Sequence, residues 1–254
     1  MRKHPRGRCL RKAVVLAAGR GTRMGTLTAG VPKPMLPVRG RPMLEHVLEA
    51  LAAAGIDHFL IVVGYRREVI EEHFRRSRRT IEYRVQDPID GTGSAARLAR
   101  GFAGNEPFLL TFGDILVDPG AYLRCMDELL PSTVAVLGVK DIDDPWRGAA
   151  VYADAHGRIT RVVEKPAQGT STTRWGSAGL YTMKPVVFEY LDRLEPSPRG
   201  EYELTSIFEL MLRDRLELRV APVEGEWRDL GTPQELKAAN AQSAPEPPDH
   251  RQEH

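Results

Sequence analysis

Two cysteines, Cys9 and Cys125, are all that 254 residues carry. Neither sits in a CxxC or CxxH spacing, which argues against a zinc site. One bridge between them is allowed by number; a reducing compartment, which needs no bridge, is the simpler reading. The chain has no apolar run near the roughly 18 residues that a membrane span requires, so no membrane partner is expected. The first twelve residues, MRKHPRGRCLRK, lack the apolar stretch of a secretory leader and hold six Lys or Arg instead. Residues 1–11 therefore read as a flexible basic arm, with a cytoplasmic location as the default. Aromatics make up only 7% and none interleaves the arginines of the arm, and the net charge is only +2. A nucleic-acid partner is accordingly disfavoured.

What the chain does have is a globular balance, 42% hydrophobic and 28% charged. In its first half short apolar runs alternate with helical patterns. Strands are expected at Lys12–Ala18, His58–Val63, Ile81–Val85, Phe108–Phe112 and Thr133–Val139. Helices are expected at Arg41–Ala54, with Gly55 just past its end, and at Arg66–Arg76, Gly93–Gly101 and Pro119–Leu130. Such alternation implies an α/β fold: a doubly wound, mainly parallel Rossmann-like sheet with helices on both faces. The second half reads as a small β subregion. Ala149–Tyr152 and Arg158–Val163 form a hairpin over the sheet edge and Ser177–Met183 is a further strand, followed by helices at Glu203–Arg213 and Pro233–Ala241. One domain over 12–241 is expected, with a polar, Pro-rich tail at 242–254 that reads as disordered.

The chemistry-bearing residues fall where such strands end. Leu16-Ala17-Ala18-Gly19-Arg20-Gly21-Thr22-Arg23 follows the first strand. Glycines let a backbone approach a phosphate and aim N–H groups at it, and an arginine adds a planar donor. A tight strand-to-helix turn would look the same. The third glycine of a dinucleotide fingerprint is replaced by Met24, and no Walker Gly-Lys-Ser/Thr is present. Ten residues after Arg23, prolines bracket Lys33 in Val31-Pro32-Lys33-Pro34-Met35-Leu36-Pro37-Val38 and stiffen it. Only seven of the 36 basic residues are lysine, so a lysine here is informative as a compact charge for phosphate. Gln86 ends a strand five residues before Gly91-Thr92; its amide can read a pyrimidine edge, or simply finish a polar strand. Asp114 ends another strand, where a carboxylate can hold a hard cation or cap a turn.

LAAGRGTRM followed by PKPMLPV resembles the signature of the sugar-1-phosphate nucleotidyltransferases, among them the glucose-1-phosphate thymidylyltransferases and the uridylyltransferase domain of N-acetylglucosamine-1-phosphate uridylyltransferases. The resemblance runs from about Lys12 to Asn240. It implies the substrates, a nucleoside triphosphate (UTP or dTTP) and a sugar 1-phosphate, and the products, a nucleoside diphosphate sugar and pyrophosphate. It implies that Leu16, Ala17, Ala18, Gly19, Gly21, Thr22 and Arg23 wrap the triphosphate, that Lys33 binds its phosphates, and that Gln86, Gly91 and Thr92 receive the pyrimidine nucleoside. It implies Mg2+ as cofactor, held by Asp114 and by Asp229 of Glu226-Trp227-Arg228-Asp229-Leu230-Gly231-Thr232-Pro233. In Val162-Val163-Glu164-Lys165-Pro166 it gives Glu164 the sugar hydroxyls and Lys165 the sugar phosphate, and it sets Gly179 against the sugar ring. The catalytic set is then Arg23, Lys33, Asp114 and Lys165.

The match departs from the family in places. Met24-Gly25-Thr26-Leu27-Thr28 lacks the family's usual Pro-Leu-Thr. Ser177 stands where acetamido-sugar enzymes commonly carry Asn, which speaks against an N-acetylglucosamine substrate. Glu201 or Glu203 could meet sugar, or could serve a helix N-terminus. The chain is too short for the C-terminal β-helix of longer relatives, so no second acetyltransferase activity is expected. Other bases, a non-sugar phosphate acceptor, a regulatory subunit that binds nucleotide sugars without turnover, and a dinucleotide-binding oxidoreductase are the competing readings. No motif encodes an oligomeric state.

Overall fold

The computed structural model describes residues 10–241. The expected tail and residues 1–9 of the expected arm lie outside the described residues. Of the arm, Leu10 packs on the core, and the Arg11 carbonyl accepts the Asp57 and His58 N–H groups at 3.1 Å each.

After β1 (Lys12–Leu16) come two 3-10 turns, Thr22–Thr28 and Lys33–Met35, and a ribbon of β2 (Pro37–Val38) with β3 (Arg41–Pro42). The winding continues through α1 (Met43–Ala53), β4 (His58–Val63), α2 (Arg67–Phe74), β5 (Thr80–Val85), α3 (Thr92–Arg97), α4 (Arg100–Ala103) and β6 (Phe108–Phe112). Next are β7 (Ile115–Val117), α5 (Pro119–Asp127), β8 (Thr133–Asp141), a 3-10 turn at Pro145–Arg147, β9 (Ala149–Ala153) and β10 (Ile159–Glu164). The chain then forms β11 (Trp175–Met183), α6 (Val187–Asp192), α7 (Ser206–Arg213), β12 (Glu217–Pro222), β13 (Trp227–Asp229) and α8 (Pro233–Ala241).

The main sheet runs β10-β9-β11-β6-β1-β4-β5, with β8 and then β12 joined at β11. The β6-β1-β4-β5 half is parallel throughout, and β12 is parallel to β8. β11 runs against β6 and β8, and the β9–β10 hairpin extends the sheet antiparallel beyond it. Residues alternate between the two faces. Ala13, Val15, Ile61, Val63 and Leu109 lie under α1, α2 and α5, whereas Val14, Leu16, Leu60, Val62 and Leu110 lie under α3, α4, α6 and α7. The helices therefore cover both faces, as the alternation implied.

Local signals account for several elements. Met43, Leu44, Val47, Leu48 and Leu51 make one buried stripe on α1. Gly55, at φ 96°, ends it with the paired bonds Ile56 N–H to Leu51 carbonyl (3.1 Å) and Gly55 N–H to Ala52 carbonyl (3.0 Å). The helix expected at 93–101 is divided into α3 and α4, because the end of α3 tightens: Leu98 and Ala99 bond three residues back. α6 and β12, six residues each, were not expected. α6 is too short to display a helical period, and β12 draws its partner, β8, from distant sequence. Cys125 is fully buried on α5, and burial pushes its thiol up to about 12. No helix among the described residues is long and apolar enough to cross a membrane.

Candidate active site

All the expected site residues lie along the carboxyl edge of the parallel strands. In an open α/β sheet this is where loops diverge and leave a crevice. β11 runs antiparallel to β6, so its amino-terminal end reaches the same edge, together with the end of β10.

The glycine loop leaves β1 here. Ala17 is held by its N–H to the Val62 carbonyl at 2.8 Å, and the Leu16 carbonyl accepts Gly113 N–H at 3.0 Å. The side chains of Leu16, Ala17 and Ala18 are buried, so they can offer a ligand only backbone. The N–H groups of Gly19, Arg20 and Gly21 have no acceptor among the described residues. Gly21 sits at φ 64°, and a Cβ there would stand 2.8 Å from the Cβ of Lys33. The glycine block and the PKP block are thus packed together. Thr22 opens the following 3-10 turn, which kinks at Gly25 (φ 59°, ψ −130°).

Lys33 is 7% exposed, and its ammonium donates to Asp114 Oδ2. Asp114 is joined to Asp229 by a second, two-stranded ribbon. β7 pairs with β13 so that Asp229 lies opposite Ile115, and Leu230 N–H bonds the Asp114 carbonyl at 3.2 Å. The two acids are separated by more than 110 positions in sequence, and this ribbon brings them together. Asp229 is open to solvent at its rim but crowded by protein. That crowding pushes its carboxyl above the ordinary value, and the Asp114 charge pushes the same way. Lys33 and Arg23 oppose the shift. Arg23 itself is exposed, with its guanidinium over Gly231.

Two carboxylates so placed are the hard oxygen donors that a Mg2+ ion takes. A Cβ on Gly231 would lie 3.5 Å from Asp229 Oδ1, 3.5 Å from Arg23 Nη1 and 3.3 Å from Glu235 Oε2, so the glycine keeps this space open. Glu235 Oε2 is buried without a hydrogen-bond partner among the described residues. An orphaned buried oxygen on the Asp229 side of the pair fits a site that takes a hydrated cation.

Gln86 is buried, and its amide N–H donates to the Gly91 carbonyl at 2.8 Å, which leaves its amide oxygen for a ligand. The physical reason for Gly91 differs from the one expected. A Cβ on it would collide with the Tyr202 backbone, so the missing side chain makes room for a protein segment. Thr92 Oγ1 accepts Leu204 N–H at 3.0 Å, and Gly93 N–H bonds the Tyr202 carbonyl at 2.7 Å. Gly179 likewise faces protein. It sits in a bulge of β11 at φ 74°, where a Cβ would overlap Ile115 and press on Phe112.

Tyr202 leads directly into the other half of the site. Glu203, 6% exposed, accepts Arg199 Nη2 at 2.6 Å and pairs with Lys165 Nζ at 3.4 Å. Glu164 takes a bond from the Thr205 hydroxyl, with Lys165 at 3.8 Å and Arg199 at 4.0 Å. Burial raises the Glu164 carboxyl, Thr205 lowers it, and the Glu203 charge raises it again. Lys165 holds φ 43°, fixed by its N–H to the Gly148 carbonyl at 2.8 Å. Ser177 Oγ and Tyr181 Oη are 2.8 Å apart beneath this cluster. Of the two glutamates weighed from sequence, Glu203 is buried and joins the Glu164–Lys165 cluster, and Glu201 is exposed. Arg199 was missed; its only signal was adjacency to Gly200-Glu201. Glu235 and Gly231 were missed because both sit in what reads as an ordinary helix start.

The chain matches the family model described as "Nucleotidyl transferase" over residues 12–246. It is 32% identical to the bifunctional protein GlmU of Methanococcus maripaludis, over 90% of this chain and 53% of that protein. It spans about half the length of several such relatives. It is also 32% identical to the UTP–glucose-1-phosphate uridylyltransferase AglF of Haloferax volcanii, over 90% of this chain and 94% of that one. Its fold superposes on a UDP-glucose pyrophosphorylase complexed with UDP-glucose at a TM-score of 0.85 and 22% identity, covering 92% of this chain and 98% of the other.

Proposed function

Because the chain belongs to the nucleotidyl transferase family, we propose that it transfers a nucleoside monophosphate from UTP or dTTP to a sugar 1-phosphate and releases pyrophosphate. The observation that carries this reading is the Lys33–Asp114 pair seated against Asp229 and the glycine loop, at the mouth of the crevice.

The free N–H groups of Gly19, Arg20 and Gly21 receive the triphosphate, with Arg23 and Lys33 as counter-charges. Gln86 offers its amide oxygen to the N3–H of a uracil or thymine, its own N–H being held by Gly91. Lys165 and Arg199 draw in the sugar phosphate, and Glu164 accepts hydrogen bonds from sugar hydroxyls. A sugar-phosphate oxygen attacks the α-phosphorus while the bond to pyrophosphate breaks. The attacking phosphate is already an anion, so no protein nucleophile is required; holding two anions in line is the task. Asp114 and Asp229 would hold a Mg2+ ion, which when bound supplies counter-charge and Lewis acidity. Nucleoside triphosphates are cytoplasmic metabolites, so the reaction is assigned to that compartment.

The test is pyrophosphate release with Mg2+, crossing UTP, dTTP, GTP, CTP and ATP with a panel of sugar 1-phosphates. Release is expected only when a pyrimidine triphosphate and one particular sugar 1-phosphate are both present. Release with no pair, from protein that still binds nucleotide, overturns the reading in favour of a regulatory binder.

A further inference from the structure

We propose that Glu235 is the outer carboxylate of the cation centre, its Oε2 accepting a hydrogen bond from water carried by the cation that Asp114 and Asp229 hold. This rests on the cation reading given above for those two aspartates.

Glu235 stands at the third position of α8, behind Thr232, in the Ser/Thr-x-x-Glu spacing of a capping box. Half of that box is made: Glu235 N–H donates to Thr232 Oγ1 at 3.3 Å. The returning half is not made by Oε2, which is buried with no hydrogen-bond partner among the described residues. Capping therefore does not account for this oxygen. Nor does ion pairing, because Arg147 approaches the other oxygen, Oε1, at 3.6 Å, so Oε2 is left for the inner side. A carboxylate oxygen stripped of water and given no donor is costly, so a donor is owed to it.

The direction in which Oε2 points supplies the candidate. The space above Gly231 is bordered by Glu235 Oε2 at 3.3 Å, Asp229 Oδ1 at 3.5 Å and Arg23 Nη1 at 3.5 Å, measured from where a Cβ would be. Glu235 also adds its charge to Asp229, after Asp114 and Lys33. Yet no three His, Cys, Asp or Glu side chains among the described residues stand close enough to share a metal directly. A third carboxylate beside a two-carboxylate site, one layer too far for direct ligation, is where a bound water of Mg2+ finds its acceptor. Mg2+ keeps several waters when it binds, and outer carboxylates orient them. Glu235 is in this sense a positioning residue.

The experiment is a Mn2+ titration of the full chain, with free Mn2+ read by electron paramagnetic resonance, for the wild type, E235Q, D229N and T232A. Melting temperatures are recorded in EDTA alongside. E235Q is expected to weaken Mn2+ binding about tenfold, the scale of lost outer-shell partners, and D229N more strongly. T232A damages the same helix start while sparing the carboxylate; it should melt lower and bind Mn2+ as the wild type does. If E235Q binds within twofold of the wild type while D229N does not, Glu235 has no part in the cation centre. If T232A and E235Q lose Mn2+ equally, the effect belongs to the helix start and the proposal falls. If D229N also binds normally, the cation reading itself is wrong.

Discussion

Gly21 and Lys33 are packed so closely that a Cβ on the glycine would stand 2.8 Å from the lysine Cβ. The loop that offers backbone N–H groups and the lysine that offers charge thus form one rigid unit. Gly21→Ala must both hold φ 64° with a side chain and displace Lys33. The backbone cost is about 1 kcal/mol. A larger loss of kcat/KM than of stability is expected, because Lys33 moves off its position. Steady-state kinetics and urea unfolding on the same preparation check this.

Lys33 and Asp114 form an enclosed pair, with side chains 9% and 23% exposed. Removing one partner leaves the other charge uncompensated, at a cost of about 3 kcal/mol or more if it stays ionised. Lys33→Ala should lower kcat on the order of 100-fold or more, as loss of a preorganised donor does elsewhere. Turnover at the wild-type rate would remove Lys33 from the mechanism.

Gln86 is oriented by its bond to Gly91, and on the proposed reading its amide oxygen meets the pyrimidine base. Gln86→Leu keeps the volume and loses the acceptor. The KM for UTP or dTTP should rise about tenfold, the worth of one well-placed hydrogen bond, with kcat little changed. An unchanged KM would move base reading elsewhere.

Burial raises the Glu164 carboxyl above its ordinary value of 4.5. The folded state then holds this proton over a window in which the unfolded chain has released it. Stability from this group is present below 4.5 and declines as pH rises through the raised folded value. Glu164→Gln removes that decline. Its stability relative to the wild type should improve as pH increases across the window, as measured by thermal unfolding in EDTA at a series of pH values. A gap that widens against the glutamine with rising pH would reverse the sign and sink the assignment.

Cys125 lies fully inside, its thiol pushed up to about 12 by burial. Reactivity needs an accessible thiolate. In a Cys9→Ser chain, Ellman's reagent at pH 8 should find no thiol in the native protein and one after unfolding. Prompt reaction without denaturant would mean that α5 opens readily.

Much of this molecule was legible in one dimension because its signals are local. Gly55 ends α1 through bonds that span only a few residues. The alternation of Ala13, Val14, Val15 and Leu16 between two helical layers is a property of any strand buried on both faces. The glycine-rich loop, too, is a run of neighbours. Glycine and proline act on their own dihedrals, and that action can be read without a partner in view.

What only the tertiary structure decided are the meetings of distant residues. Asp114 and Asp229 are neighbours because β7 and β13 pair outside the main sheet, and both strands are three residues long, too short to announce themselves. Gly91 and Gly179 looked like openings for ligand and are openings for Tyr202 and Ile115, since a missing Cβ does not say what approaches it. Arg199 joined Glu203 and Lys165, and Glu235 turned one oxygen toward Asp229, by the placement of loops that carry no period of their own. Sequence settles the dihedrals and the buried faces because those are contests within a few residues; which charges come to share a crevice is settled by the folding of the whole sheet.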